Sequence, residues 1–152
     1  DRARFVAWAT GVLGFIFLTV FSGALVAGLD AGLMYNTFPL MEGRLLPADA
    51  FYLRPVYLNF FEDRATVQFD HRVLAVSTVC LVVAFWAGVH RADAPLGIKR
   101  GAGFMALAVL AQAGIGIATL LTAVPVALGA LHQAGAVVLL TSALWCLHQA
   151  RR

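Results

Sequence analysis

Residues 101–150 read GAGFMALAVLAQAGIGIATLLTAVPVALGALHQAGAVVLLTSALWCLHQA, with no Lys, Arg, Asp or Glu anywhere in the run. A single helix needs about 20 apolar residues to cross the hydrocarbon of a bilayer, so this run is too long for one crossing. Pro125 divides it, because proline suits the first turn of a helix and breaks an interior. The run therefore predicts two spans, Gly101 to Ala123 and Val126 to His148. Working outward, nothing is charged between Arg4 and Asp30, which gives a first span over residues 5–29. The stretch between Arg72 and His90 is also uncharged and gives a second span over 68–89. The expected fold is all-α: an integral membrane antiparallel four-helix bundle, with a long outer loop over residues 30–67 between spans one and two.

Composition agrees. Hydrophobic residues make up 61% of the 152 and charged residues 12%, where a soluble domain is nearer half and a quarter. The mean hydropathy is +0.84. The net charge of +3 and pI near 9.3 do not point to nucleic acid, since no basic helix or aromatic-basic platform is present. They report topology instead. Arg2 and Arg4, then Arg91, Lys99 and Arg100, then Arg151 and Arg152 fall on one side, expected to be the cytoplasm. The other side holds Arg44, Arg54, Arg64 and Arg72 with six of the eight acids. Both termini are expected inside. A signal peptide is a poor reading of the first span, whose apolar run is too long and lacks a cleavage site. The chain begins at Asp1 rather than Met, and we read it as a piece of a longer protein.

The outer loop carries Tyr35, Phe38, Phe51, Tyr52, Tyr57, Phe60 and Phe61, and three of the five prolines: Pro39, Pro47 and Pro55. A loop of this length is functional or disordered, and its aromatics argue against disorder. It reads as a lid over the outer ends of the bundle, or as an aromatic belt at the interface; the two are compatible.

Four histidines lie on spans two and four, which run in the same direction. At about 1.5 Å per residue, His71 and His90 are almost a membrane apart, as are His132 and His148. They form an outer pair, His71 and His132, and an inner pair, His90 and His148. The inner pair sits beside Arg91 and Arg151 and reads as ordinary snorkelling groups. His132 lies within an uncharged run, where polar groups are usually functional. Gly129, Gly135 and Ala136 share its helix face. Small neighbours leave room for a flat metal-centred macrocycle, and they equally suit plain helix packing. Haem ligation by His71 and His132 is one reading and packing the other. Bis-imidazole ligation suits electron transfer. Arg72 fits a haem propionate or an interfacial anchor. Cys80 and Cys146 differ in depth and read as inert thiols. Gln112 and Gly114-Ile115-Gly116 mark tight packing. No nucleotide loop, hydrolase triad or acidic metal cluster is present.

Three stretches carry a resemblance: GLDAGLMYNTFPLMEGRLLP (28–47), NFFEDRATVQFDHR (59–72) and LTAVPVALGALHQAGAVVLL (121–140). Their AG-x-x-x-NTFPLM-x-G loop, F-x-HR and LHQ resemble the C-terminal half of heme A synthase, in its bacterial and mitochondrial form. The resemblance covers essentially the whole chain. It implies an eight-span membrane oxidoreductase of two similar four-helix halves, which oxidises a methyl group of haem O to the formyl of haem A for cytochrome oxidase assembly. On this likeness the N-terminal half holds the substrate haem and the C-terminal half a haem b, with His71 and His132 as its axial iron ligands. The partners implied are the N-terminal half, membrane lipid, haem O synthase and oxidase assembly factors. The location implied is the bacterial inner membrane, with the mitochondrial inner membrane as the alternative. The substrate half has a glutamate one turn before its first histidine. Here Gln68 stands at that position, and a glutamine cannot act as a general base. The chain is therefore expected to be the electron-handling half, without activity alone. Two other readings stay open: a bis-histidine haem b electron-transfer subunit without chemistry of its own, and a non-haem membrane packing module.

Overall fold

A computed structural model describes residues 2–152; Asp1 lies outside them. The described residues form five α-helices: α1 (Arg2–Gly28), α2 (Asn59–Glu62), α3 (Arg64–Arg91), α4 (Leu96–Leu121) and α5 (Val126–Arg151). Four of them, α1, α3, α4 and α5, are long and apolar enough to cross a membrane. The expectation of a four-span, all-helical membrane bundle is met. The helices overrun the expected spans because hydropathy marks hydrocarbon contact, whereas a helix continues to its cap. Thus α3 begins at Arg64, four residues before the expected Gln68, and α4 begins at Leu96, five before Gly101. Lys99 and Arg100 lie in the first two turns of α4.

The starts and stops have local causes. Asp63 caps α3, its carboxylate accepting from the backbone N–H of Ala65 and Thr66, which satisfies donors that a helix start otherwise leaves bare. The two short turns, after α3 and after α4, share one design. Ala94 N donates to Val89 O at 3.0 Å, and Val124 N donates to Thr119 O at 2.8 Å. Each is the six-to-one bond that closes a helix C-terminus. Pro95 and Pro125 follow immediately and precede the first residue of the next helix.

Each long helix packs on two others, in the cycle α1, α3, α4, α5 and back to α1. Neighbours run antiparallel. Trp8 meets Phe85 edge-on with centroids 5.3 Å apart, Thr19 Oγ1 lies 2.7 Å from Thr78 Oγ1, and Ser22 lies by His71. Between α4 and α5, Gly101 faces Cys146 and the Thr119 hydroxyl donates to Leu128 O at 3.3 Å. Arg2 donates to Arg152 O at 2.5 Å, so both ends of the chain share one end of the bundle. Lipid tails are as apolar as leucine, so close packing and interhelical hydrogen bonds hold such a bundle. Three glycines permit that approach. Gly88 seats the Trp8 ring, Gly97 the Gln149 side chain, and Gly101 the Cys146 backbone, where a Cβ would lie 2.9 Å from Cα.

Buried Ala31, Met41, Ala65 and Val67 lie at the outer end, but the main apolar core lies at the end that holds the termini. It is built from Phe5, Val12 and Ile16, with Val82, Phe85 and Val89 across from them, then Ile98, Met105 and Val109, and Leu139, Ala143 and Cys146. No side chain of α5 before Leu139 is buried, and none of α4 between Val109 and Thr119. Burial therefore thins along α4 and α5 near the level of the histidines, but it resumes at Thr119, and Ala65, Thr66, Val67 and Gln68 of α3 are buried beyond His71.

Residues 29–63 form the long connection, and it is tied down. Two short 3-10 turns, Ala31–Leu33 and Val56–Leu58, and the one-turn α2 are its only helical pieces. Asn36 donates to Leu120 O at 2.8 Å, and the methyl of Val124 packs on Gly32. The connection therefore crosses from α1 to the α4–α5 turn, over the histidine end of the bundle. Buried Asn59 bonds Leu53 and Val56. Phe51 N donates to Asp63 and Thr66. Phe38, Tyr52, Tyr57, Phe60 and Phe61 stay exposed, so the segment is both a cover and an aromatic rim.

Candidate haem site

His71 lies seven residues from the start of α3 and His132 six from the start of α5. At about 1.5 Å per residue both imidazoles sit roughly 10 Å below the same end of the bundle. The expected outer pairing of His71 with His132 agrees with these positions, and α3 continues two turns beyond His71 toward its start at Arg64.

Each histidine is backed by a glycine of the helix beside it. A Cβ built on Gly23 of α1 would lie 3.1 Å from Cε1 of His71, and one on Gly116 of α4 would lie 2.7 Å from Cε1 of His132. Both rings thus rest on bare helix backbone. Ser22 adds a hydrogen bond to Nδ1 of His71 at 2.8 Å. Gln112 of α4 donates to the backbone O of His132 at 2.7 Å. The ring Nδ1 of His132 is buried without a hydrogen-bond partner, a condition that costs about 1–3 kcal/mol unless something answers it.

Arg72 spends its terminal nitrogens on the connecting segment. Nη1 donates to Thr37 O at 2.8 Å and Nη2 to Tyr35 O at 3.0 Å. Buried Gln68 donates its amide to the same Tyr35 carbonyl at 3.0 Å. Among the described residues no carboxylate forms an ion pair with Arg72, and its Nε is buried without a partner. The Tyr35 hydroxyl in turn donates to Asp49. That bond, and then burial, push its pKa up to about 12.

The inner pair lies at the far end and is exposed. His90 Nδ1 pairs with Trp86 O at 2.8 Å, and its ring leans on Trp86. His148 is exposed in the last turn of α5. Cys80 and Cys146 are both free thiols, one exposed and one in the core.

Among the described residues no three His, Cys, Asp or Glu side chains converge. A bare ion asks for four or more ligands, so two imidazoles suit a metal that brings its own equatorial ring. The two glycine-backed rings on α3 and α5 fit such a group. Sequence reasoning singled out His71, His132 and Arg72. It read Gln112 and Gly116 as packing only, and missed Thr19, Ser22 and Gly23. A serine in an apolar helix is ordinary, and only its contact with His71 marks it.

A four-span membrane bundle with two histidines at one depth is the class this fold and site define. The sequence matches the family model of the cytochrome oxidase assembly proteins (COX15-CtaA) over residues 1–144, and the chain belongs to that family. It is 48% identical to heme A synthase of Nitrosospira multiformis over 95% of this chain and 41% of that protein. Against human heme A synthase COX15 the identity is 43%, over 95% of this chain and 35% of the relative. Heme A synthase of Parvibaculum lavamentivorans is 48% identical over 93% and 40%. The chain thus spans about two fifths of the length of these relatives. No solved structure matches the chain significantly.

Proposed function

We propose that this chain is the haem b-binding C-terminal half of a heme A synthase, with His71 and His132 as the two axial ligands. The observation that carries the reading is the pair of imidazoles at similar depth, each backed by a glycine of the neighbouring helix. A haem held by two imidazoles supplies one-electron transfer and keeps no open iron position. The chain's own residues hold and cover it. Gly23 and Gly116 let the rings lie against the helices, Gln112 ties the His132 backbone, and the connecting segment shuts the upper end from water. Arg72 carries a guanidinium charge with no carboxylate of its own, which suits a propionate.

In the full protein, we infer, haem O bound by an N-terminal four-helix half has its methyl group oxidised to the formyl of haem A for cytochrome oxidase. The present half handles electrons and is not competent by itself. Gln68, one turn before His71, supports this division, since its amide is already committed to Tyr35 and cannot serve as a base. Haem O synthase and oxidase assembly factors are the partners this role implies. The basic residues at the end that holds the termini support a cytoplasmic side for both termini in a bacterial cell, with residues 29–63 on the outer face.

The test is a reduced-minus-oxidised optical spectrum of the purified membrane protein beside its His71→Ala and His132→Ala variants. A low-spin b-type spectrum lost in both supports the reading. A folded wild-type protein without that haem, or variants that keep it, refutes it.

A further inference from the structure

We propose that Ser22 is a positioning residue that fixes the tautomer of His71 and makes the two histidines unequal as ligands. The proposal rests on the haem reading above and deepens it. Ser22 lies on α1 and is 7% exposed. Its Oγ has two neighbours: Thr19 O at 2.7 Å and His71 Nδ1 at 2.8 Å. A serine has one proton to give. If it went to Nδ1, two oxygens would face each other at 2.7 Å with no hydrogen between them. If it goes to the carbonyl, as in the usual back-bond of a helical serine, the hydroxyl oxygen accepts from Nδ1–H, and both contacts become hydrogen bonds. The ring is then protonated at Nδ1 and carries its free electron pair at Nε2.

The framework around this bond is rigid. Thr19 Oγ1 meets Thr78 Oγ1 at 2.7 Å, and Thr78 donates to Leu74 O at 2.7 Å. This crosslink pins α1 to α3 one turn from Ser22 and two turns from His71. Gly23, next to Ser22, lets the ring come close enough for the hydroxyl to reach it. The other histidine has no such support. The residue before Gly116 on α4 is Ile115, which has no hydroxyl, and Nδ1 of His132 has no partner. His71 is therefore preset in ring angle and tautomer, whereas His132 is held by its backbone alone. An acceptor on Nδ1–H makes an imidazole a more basic ligand and favours the ferric iron.

The experiment uses the full-length protein in its membrane. The haem in question is the one whose spectrum His71→Ala abolishes. Its midpoint potential, low-spin EPR spectrum and dissociation rate are measured in wild type, Ser22→Ala and Ser22→Thr. The expected result for Ser22→Ala is about tenfold weaker haem retention, a higher midpoint potential and a shifted EPR signal. Ser22→Thr, which keeps the hydroxyl, returns all three toward wild type. Wild-type potential and retention in Ser22→Ala overturn the proposal. So does a threonine variant that behaves like the alanine one, because that result assigns Ser22 to packing. A wild-type protein with no haem sensitive to His71→Ala overturns the underlying haem reading instead, and it is recognised before any serine variant is compared.

Discussion

The ring of His132 rests on Gly116, where even a methyl group would lie 2.7 Å from Cε1. Helix α5 cannot yield, because Gln112 holds the His132 carbonyl at 2.7 Å. Gly116→Ala must therefore turn the imidazole. We expect this variant to lose most of its haem while keeping its helix content, and Gly23→Ala, with 3.1 Å at the equivalent contact, to lose less. Haem-to-protein ratios after purification check the ranking; equal ratios contradict it.

His132→Ala should remove haem more completely than Arg72→Ala. The first deletes an iron bond, the second a partly solvated ion pair worth at most about 1 kcal/mol. Arg72→Ala has a further effect, since it frees the carbonyl of Thr37 and leaves that of Tyr35 to Gln68 alone. Limited proteolysis of residues 29–63 should quicken in that variant and stay unchanged in His132→Ala. Equal haem retention in the two proteins speaks against the ranking.

Gln68 holds Tyr35 through an amide hydrogen that a carboxylate does not have. Gln68→Glu sets two acceptors face to face in a site 2% exposed and draws Arg72 toward the new charge. The loss of a buried hydrogen bond is worth about 1–3 kcal/mol. The connecting segment should be cut faster by protease; an unchanged rate argues that Gln68 has no such role.

Asp63 ties the start of α3 to the connecting segment: it caps α3 at Ala65 and Thr66, accepts the Thr66 hydroxyl, and accepts the N–H of Phe51. Asp63→Ala should destabilise the protein by about 1–2 kcal/mol, with a lower thermal midpoint in detergent. Asp63→Asn, which keeps one acceptor, should fall between.

Tyr35 supplies a pH dependence outside the membrane. Its folded pKa stands near 12, against 10.0 for a free phenol, because the hydrogen bond to Asp49 favours the neutral form. The stabilisation is complete below about pH 10 and is lost as the pH rises toward 12. Tyrosinate absorbance should show one late-titrating phenol that Tyr35→Phe abolishes. A titration that ends near pH 10 excludes the bond.

The uncharged run of 101–150, divided by Pro125, already determined that this is a four-span helical membrane protein. Hydrocarbon tolerates so little else that composition and one proline suffice. His132 stood out for the same reason, as a polar ring where polarity is costly. Family membership was also written in the loop and histidine motifs. The pairing of His71 with His132 was legible too, from their positions on two spans that run the same way. The sequence did not show that α3 runs on to Arg64, because that depends on the cap at Asp63, which carries the helix beyond its apolar part. Nor did it show that residues 29–63 cross the bundle, since Asn36 meets Leu120 over a separation that no periodicity encodes. Ser22, Gly23 and Gly116 were hidden as well. Small residues are common in membrane helices, and these three gain their meaning only when packing brings α1 against α3 and α4 against α5, with a histidine ring lying on each glycine.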